Sequence, residues 1–436
     1  MGIANVIVPY SRIQEAYQRD PGRIEEAVDT GTAEASAGNP LERARLLAAW
    51  NNALGDLRAD DKGESVMSSP QNALASRLQT VLAQRALEFG KLQVARPARM
   101  VKTAQGEVHL PEILEVKFDN QDFWGWLKMS WKLIFKPTPH AWIAPPETPE
   151  TIADDATIAI FSDWGTALYG APIIAKSVAG LARCDVALHL GDTYYSGSDD
   201  EIRDRLVKDW PKCGSKTVSR ILNGNHEMYS GGVGYFDAFA KAPFNQKASA
   251  FAMQNANWLL VCLDTAYVDF NLDEVQIRWL KKLLAAASDQ QKVILLSHHQ
   301  PFSQLDSQGP NLQSALADVL SSKRIHAWFF GHEHRLVLYE AHAQWGLKAR
   351  CVGHGGFPAF RDHLIGGGGP ATQFISLSAK PGVPAAQVLD GPNPFVEDDP
   401  QRYSPHGFLT LEFNGLQAFE TYYSPDYRVV RKKTVL

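Results

Sequence analysis

From Thr157 onward the chain alternates short apolar runs with amphipathic stretches, and this alternation restricts the fold more than any other feature. Residues 157–163 (TIAIFSD), 185–192 (DVALHLGD), 219–225 (SRILNGN), 258–265 (WLLVCLDT), 292–299 (KVILLSHH) and 326–332 (HAWFFGH) are short and mostly apolar, so they read as strands. Residues 171–183, 199–209, 273–287 and 311–322 read as helices between them. Strands and helices in that order build a sheet with helices on its faces. Ligands of such sheets gather beyond the carboxyl ends of the strands.

Polar blocks sit at those ends. Asp163-Trp164-Gly165 closes the first strand, Gly191-Asp192-Thr193-Tyr194-Tyr195 the second, and Gly224-Asn225-His226-Glu227 the third. Ser297-His298-His299-Gln300-Pro301 and Gly331-His332-Glu333-His334 close two later ones. Carboxylates suit hard ions, and imidazoles suit zinc, iron or manganese-like ions, so the mixed set favours transition metals over calcium. One pocket with these donors is able to hold two ions about 3.5–4 Å apart, an arrangement suited to phosphate-ester hydrolysis. Asp192 is the natural bridge, because one carboxylate offers an oxygen to each ion. Asn225 supplies a neutral amide oxygen, which keeps its ion electrophilic. Neighbours on a strand point to opposite faces, so one of His298 and His299 is expected to bind metal and the other not.

With the blocks in this order, residues 155–355 resemble the metallophosphoesterase (calcineurin-like phosphoesterase) superfamily. Most of that superfamily opens with D-x-H, whereas Gly165 occupies the His position here. The pattern is similar to the purple acid phosphatase variant, D-x-G, G-D-x-x-Y, G-N-H-[DE], a His-containing block and G-H-x-H. The resemblance implies an α/β fold, the four-layer αββα sandwich, with Asp163, Asp192, Tyr195 and His334 on a first ion. It places Asp192, Asn225, His298 and His332 on a second. Tyr195 then replaces the missing His, and a phenol whose free pKa is about 10 calls for Fe(III), paired with divalent Fe, Zn or Mn. Without Tyr195 as a ligand, two divalent ions are expected. Alignment on the family's His-His-Pro-Pro-type block favours His298, while a His-x-Pro reading takes His299. His226 becomes the general acid for the leaving alkoxide, since imidazole donates a proton near pH 6–7. The nucleophile would be a metal-held hydroxide, coordination lowering the pKa of water towards ~7, and Glu227 would orient the loop. Residues 302–308, where some family members carry phosphate-binding histidines, contain neither His nor Arg. Arg335 and His354 are therefore the candidate substrate contacts. The implied function is dinuclear-metal-dependent hydrolysis of a phosphate ester, a monoester in the first instance. A phosphodiesterase, including one for cyclic nucleotides, is the alternative, and a catalytically silent binding module is the alternative from another class.

At 436 residues the chain is long enough for two domains. Residues 1–100 read as helices: Leu47, Trp50, Leu54 and Leu57 recur at helical intervals, as do Leu74, Leu78 and Val81, then Leu82, Ala86 and Phe89. Ser11 and Gln14 have capping-box spacing. Residues 105–117 look extended. The expected organisation is a helical N-terminal domain over 1–136, a Pro-rich linker over 137–150 and a metallophosphoesterase domain over 151–436. Lys128, Lys132 and Lys136 share one face of the Trp-rich run 123–136, which clamps the N-terminal region onto the next domain or contacts a membrane interface; the clamp is the simpler expectation. Residues 365–406, rich in Gly and Pro, are expected to be a lid or a disordered loop. A hairpin, Phe408–Phe413 and Gln417–Tyr423, is expected to close the sheet edge.

A net charge of −5 gives no nucleic-acid footprint. Cys184, Cys213, Cys262 and Cys351 lack CxxC spacing and read as reduced thiols. Met1–Tyr10 shows no leader pattern, and no segment approaches the ~18 apolar residues of a membrane span. The default expectation is a cytoplasmic location.

Overall fold

The computed structural model describes residues 5–7, 92–96, 99–103, 106–110, 113–116 and 138–436, less 168, 195, 269, 307–308, 362–363 and 397–399. Its first strands are β1 (Asn5–Ile7), β2 (Leu92–Arg96), β3 (Arg99–Thr103), β4 (Gly106–Leu110) and β5 (Ile113–Val116). The body contains β6 (Glu150–Thr151), β7 (Thr157–Phe161), β8 (Val186–His189), β9 (Val218–Ile221), β10 (Phe251–Gln254) and β11 (Trp258–Leu263). It continues with β12 (Lys292–Ser297), β13 (Ile325–Phe330), β14 (Leu336–Ala341), β15 (Lys348–Val352), β16 (Gln373–Leu377) and β17 (Ala386–Asp390). The last three are β18 (Phe408–Asn414), β19 (Gln417–Tyr423) and β20 (Val429–Val435).

Two mixed sheets carry the body. One has the order β20-β19-β18-β7-β8-β9, the other β16-β17-β14-β15-β13-β12-β11-β10-β6. Within them β7, β8 and β9 run parallel, as do β11, β12, β13 and β15. The uninterrupted apolar run of β11 follows from burial on both faces. Leu260 and Cys262 point between the sheets, where they meet Ile158, Ile160, Leu188, Ile294 and Phe329. Leu259, Val261 and Leu263 point outward onto Trp279, Leu280 and Leu283 of the helix Glu274–Ala286. On the far side, Ala159, Phe161 and Ile221 pack on Ile174 and Val178 of the helix Ala171–Ala179, and on Phe236 and Phe239 of the helix Val233–Phe239. Helix, sheet, sheet, helix is the metallophosphoesterase α/β arrangement. One buried ion pair ties the sheets together: Arg350 on β15 donates from Nε to Glu420 Oε2 on β19 at 2.9 Å, and Tyr422 Oη donates to the same oxygen at 2.8 Å.

Several expectations are revised. Residues 365–406 are not a structureless lid, because β16 and β17 pair there and extend the nine-stranded sheet beyond β14. Their Gly- and Pro-rich flanks hide two strands of only five residues each. The C-terminal hairpin lies inside its sheet, with β18 against β7 and β20 forming the outer edge. Within the N-terminal region, extended residues replace the expected helix at 5–7, 92–96 and 99–100. The extended reading of 105–117 appears as β4 and β5. The helices expected elsewhere in 1–100 and the Trp-rich run 123–136 lie outside the described residues. The Pro-rich segment after 137 packs on the body: His140 stacks on Phe236 at 4.5 Å, and Trp279 Nε1 donates to Pro146 O at 2.8 Å.

Candidate metal centre

Five parallel strands, β7, β8, β9, β12 and β13, end at one rim, and each passes a donor residue into the turn that follows it. The turns are tight. Asp163, Asp192, His332 and His334 all adopt left-handed backbone, with φ of 54°, 76°, 71° and 52°. Asp and His tolerate this region better than β-branched residues, yet it is sparsely populated, and such residues cluster at functional sites. Glycine is required at two neighbouring positions. A Cβ on Gly224 would lie 2.2 Å from Asp192 Oδ1, and one on Gly331 would lie 2.0 Å from Ser162 Oγ and 2.5 Å from Asp163 Oδ2.

Asp192 is the centre of the constellation and is fully buried. Its Oδ1 lies 3.3 Å from His298 Nε2, and its Oδ2 lies 3.2 Å from Tyr194 Oη. The two oxygens therefore face two different groups. On one side, Tyr194 Oη also lies 3.0 Å from Asp163 Oδ1 and 2.9 Å from His334 Nε2. On the other, Asn225 Oδ1 lies 3.0 Å from His298 Nε2 and 3.0 Å from His332 Nδ1. The imidazole of His298 is oriented by a 3.0 Å bond from Nδ1 to Leu190 O, leaving Nε2 as the inward atom. A backbone carbonyl on the outer ring nitrogen is the usual support of a metal-ligating His.

The electrostatics follow from burial of like charges. Burial, reinforced by the charge of Asp192, pushes Asp163 up to about 7 against the pull of His298. Burial opposes ionisation of Asp192 too, but His298 and then His226 outweigh it and hold this carboxyl well below its ordinary range. For His298, burial is outweighed by Asp192, and the ring is pushed up to about 9. Burial and the charges of Asp163 and Asp192 raise the Tyr194 phenol well above its free value. Oxygen donors of Asp163, Asp192, Asn225 and Tyr194, with nitrogen donors of His298, His332 and His334, form a set that cations would complete. Asp163, Asp192 and His298 bring donor atoms within 4.8 Å of one another, and so do His298, His299 and His332.

His226 occupies the wall of this pocket. Its backbone N–H donates to Asp192 Oδ1 at 3.1 Å, and its Nε2 lies 3.7 Å from Asp192 Oδ2. Glu227 does hold the loop: its Oε2 accepts from the backbone N–H of Gly224 at 2.8 Å and of Asp192 at 3.1 Å.

Residues 156–336 match the family model described as Calcineurin-like phosphoesterase. This chain carries a calcineurin-like phosphoesterase domain. The domain is that of a metal-dependent phosphoesterase, and the donor residues described above, from Asp163 to His334, lie within the matched residues. Over 232 residues the chain is 27% identical to tartrate-resistant acid phosphatase type 5 of Homo sapiens, which covers 43% of this chain and 70% of that protein. It is 26% identical over 198 residues to the Sus scrofa protein of the same name, covering 38% of this chain and 57% of that one. Among solved structures it is similar to purple acid phosphatase PPD1 from yellow lupin (Lupinus luteus), with 15% identity and a TM-score of 0.47 over 77% of this chain and 58% of that one.

Most residues expected from the sequence meet in the phosphoesterase site: Asp163, Asp192, Asn225, His226, His298, His332 and His334. Tyr195 lies outside the described residues. Among the described residues, the tyrosine whose hydroxyl enters the corner is Tyr194, which the motif spacing did not select. Beyond β7 and β8, Gly165 bridges to Thr193, and Tyr194 N donates to Gly165 O at 3.0 Å. With the left-handed turn at Asp192, this brings the Tyr194 hydroxyl beside the carboxylates. His299 turns from Asp192 and engages Thr265, Nδ1 lying 3.0 Å from Thr265 O. Arg335 Nη1 donates to Ser404 Oγ at 2.8 Å and Nη2 to Phe360 O, so its guanidinium braces the 360–404 loops. His354 is buried under Gly407 and His406, at a position where a Cβ on Gly407 would lie 2.9 Å from its Nε2.

Proposed function

We propose that the phosphoesterase domain hydrolyses phosphate monoesters at a dinuclear centre. The observation that carries this reading is the divided carboxylate of Asp192, one oxygen beside Tyr194 and the other beside His298. On this reading Asp163, Asp192, His334 and a tyrosine of the Gly191–Tyr195 block hold the first ion. Asp192, Asn225, His298 and His332 hold the second. When bound, two such ions supply Lewis acidity at a phosphoryl oxygen and lower the pKa of a water molecule towards about 7.

The chain's own residues do the rest. The buried ring of His226, beside Asp192, holds a proton for the departing alkoxide. Glu227 clamps the backbone of Gly224 and Asp192, so the loop bearing both the acid and a metal ligand stays at fixed distance from the bridge. A tyrosine ligand favours Fe(III) in the first position, with a divalent Fe, Zn or Mn in the second. The same tyrosine and the acid phosphatases among the relatives support monoester over diester chemistry.

The test pairs metal analysis with turnover of p-nitrophenyl phosphate and bis-p-nitrophenyl phosphate. Two ions per chain and preference for the monoester are expected. Preference for the diester would assign a phosphodiesterase, and absence of turnover with both ions bound would leave a binding module.

A further inference from the structure

Asn225 is the one amide ligand of the proposed centre, and a carboxamide has two ends of opposite character. Its carbonyl oxygen attracts a cation, while its amino group repels one. With the amide reversed, Nδ2 would face His298, His332 and the second ion. The amide must therefore be held with its oxygen inward. The side chain that does so is Tyr229, one helical turn along: Asn225 Nδ2 donates to Tyr229 Oη at 2.7 Å. The spacing is set by the short helix Asn225–Met228, closed by the backbone bond from Tyr229 N to Asn225 O at 3.1 Å. The phenol oxygen accepts from the amino group in this orientation, so the bond holds the amide with its carbonyl turned inward, the end that a cation attracts.

The ring of Tyr229 has a second contact. It lies 4.8 Å from the imidazole of His226, which also meets Tyr194 at 4.5 Å. The acid is thus packed against two tyrosine rings, one belonging to the metal corner and the other to the residue that orients Asn225.

We propose that Tyr229 is a positioning residue with two separable actions: its hydroxyl presents the Asn225 carbonyl to the second ion, and its ring confines His226. This inference rests on the dinuclear reading of the site. Tyr229→Phe removes the first action and keeps the second, and Tyr229→Leu removes both. Loss of a group that orients a metal ligand typically weakens metal binding or activity by about 10- to 100-fold.

The experiment uses the full chain loaded with two ions. Metal per chain is measured after dialysis against graded dipicolinate, together with melting of the metal-stripped proteins and rates on p-nitrophenyl phosphate and 2-glycerophosphate. Tyr229→Phe should lose one ion at about 10- to 100-fold lower chelator concentration than the wild type. Its metal-free melting temperature and its aryl-to-alkyl rate ratio should stay at the wild-type values. Tyr229→Leu should show the same metal loss and also a raised aryl-to-alkyl ratio, because the unconfined acid fails the poorer leaving group. A Tyr229→Phe chelation curve superimposable on the wild type would overturn the inference. So would metal loss matched by an equal fall in metal-free stability, since that is a packing effect. A wild type that binds fewer than two ions would instead sink the dinuclear reading itself.

Discussion

Replacing His226 by alanine isolates one step of the proposed reaction. The ring is buried, packed against Tyr194 and Tyr229, with Nε2 3.7 Å from Asp192 Oδ2. Its backbone N–H, which holds Asp192 Oδ1 at 3.1 Å, survives the substitution. The bridge therefore keeps its anchor, and metal content should be unchanged. What is lost is a proton donor. General acid catalysis is worth about 10²–10⁴-fold, or about 2.7–5.4 kcal/mol of barrier at 1.36 kcal/mol per decade. The full loss should fall on an alkyl phosphate such as 2-glycerophosphate, whose alkoxide leaves poorly without a proton. p-Nitrophenolate needs little protonation, so p-nitrophenyl phosphate should lose far less. The assay is kcat/KM on both esters for wild type and His226→Ala, with metal analysis on the same samples. Equal losses on the two esters, at unchanged metal content, would refute the assignment of His226 as the acid.

Asp192→Asn should lower both metal occupancy and rate while the chain remains folded, and near-normal turnover by the purified variant would be incompatible with a bridging carboxylate. Iron-loaded, oxidised wild type should show a violet to pink charge-transfer band; Tyr194→Phe should bleach it if Tyr194 is the ligand, and Tyr195→Phe if the motif spacing prevails, whereas a colourless, active protein with divalent ions alone excludes a tyrosinate. Glu420→Gln leaves Arg350 buried without its counter-charge between the sheets, so urea unfolding should show a loss of about 3–5 kcal/mol, and a loss below about 1 kcal/mol would show that the pair is screened. Burial, with the charge of His354 adding, pushes His406 down to about 3, while the unfolded chain protonates near 6.5. Stability is then complete above about pH 7 and falls as the pH drops below the unfolded value, by about 2 kcal/mol at pH 5 for this residue; His406→Gln should flatten that part of the curve, and an unchanged slope would contradict it.

The sheet body and most of the site were legible because strand ends carry both signals at once. An apolar run such as residues 292–297 declares a strand buried on two faces, and the polar block after it declares a ligand at the rim. Where the two signals separate, the reading failed. β16 and β17 lie between Gly366–Gly369 and a Pro-rich tail, and their pairing with β14 is a long-range contact that no local pattern encodes. Arg335 and His354 carried the right chemistry for phosphate. Neighbours far away in sequence, Ser404 and Gly407, decide that one braces a loop and the other is covered.

Tyr194 shows how backbone continuity competes with motif counting. A motif fixes an interval, three residues from bridge to phenol, and that interval assumes that the chain turns after Asp192. Here the left-handed backbone of Asp192, with φ of 76°, makes the turn at Asp192 itself, and Thr193 then bridges to Gly165. The phenol two places on arrives beside Asp163 and His334. The close approach of Thr193 is possible because Gly165 stands where the superfamily carries a His. A Cβ there would lie 2.7 Å from the Thr193 Cα, so any larger residue would force the two segments apart. The glycine at the position of the superfamily's His is thus also what lets Thr193, the neighbour of Tyr194, come close. Gly165→Ala should therefore act at a distance, weakening the first ion through Tyr194 although residue 165 has no donor of its own. Metal analysis of Gly165→Ala checks this, and full retention of the first ion with the iron band unshifted would show that the close approach is not what places the phenol.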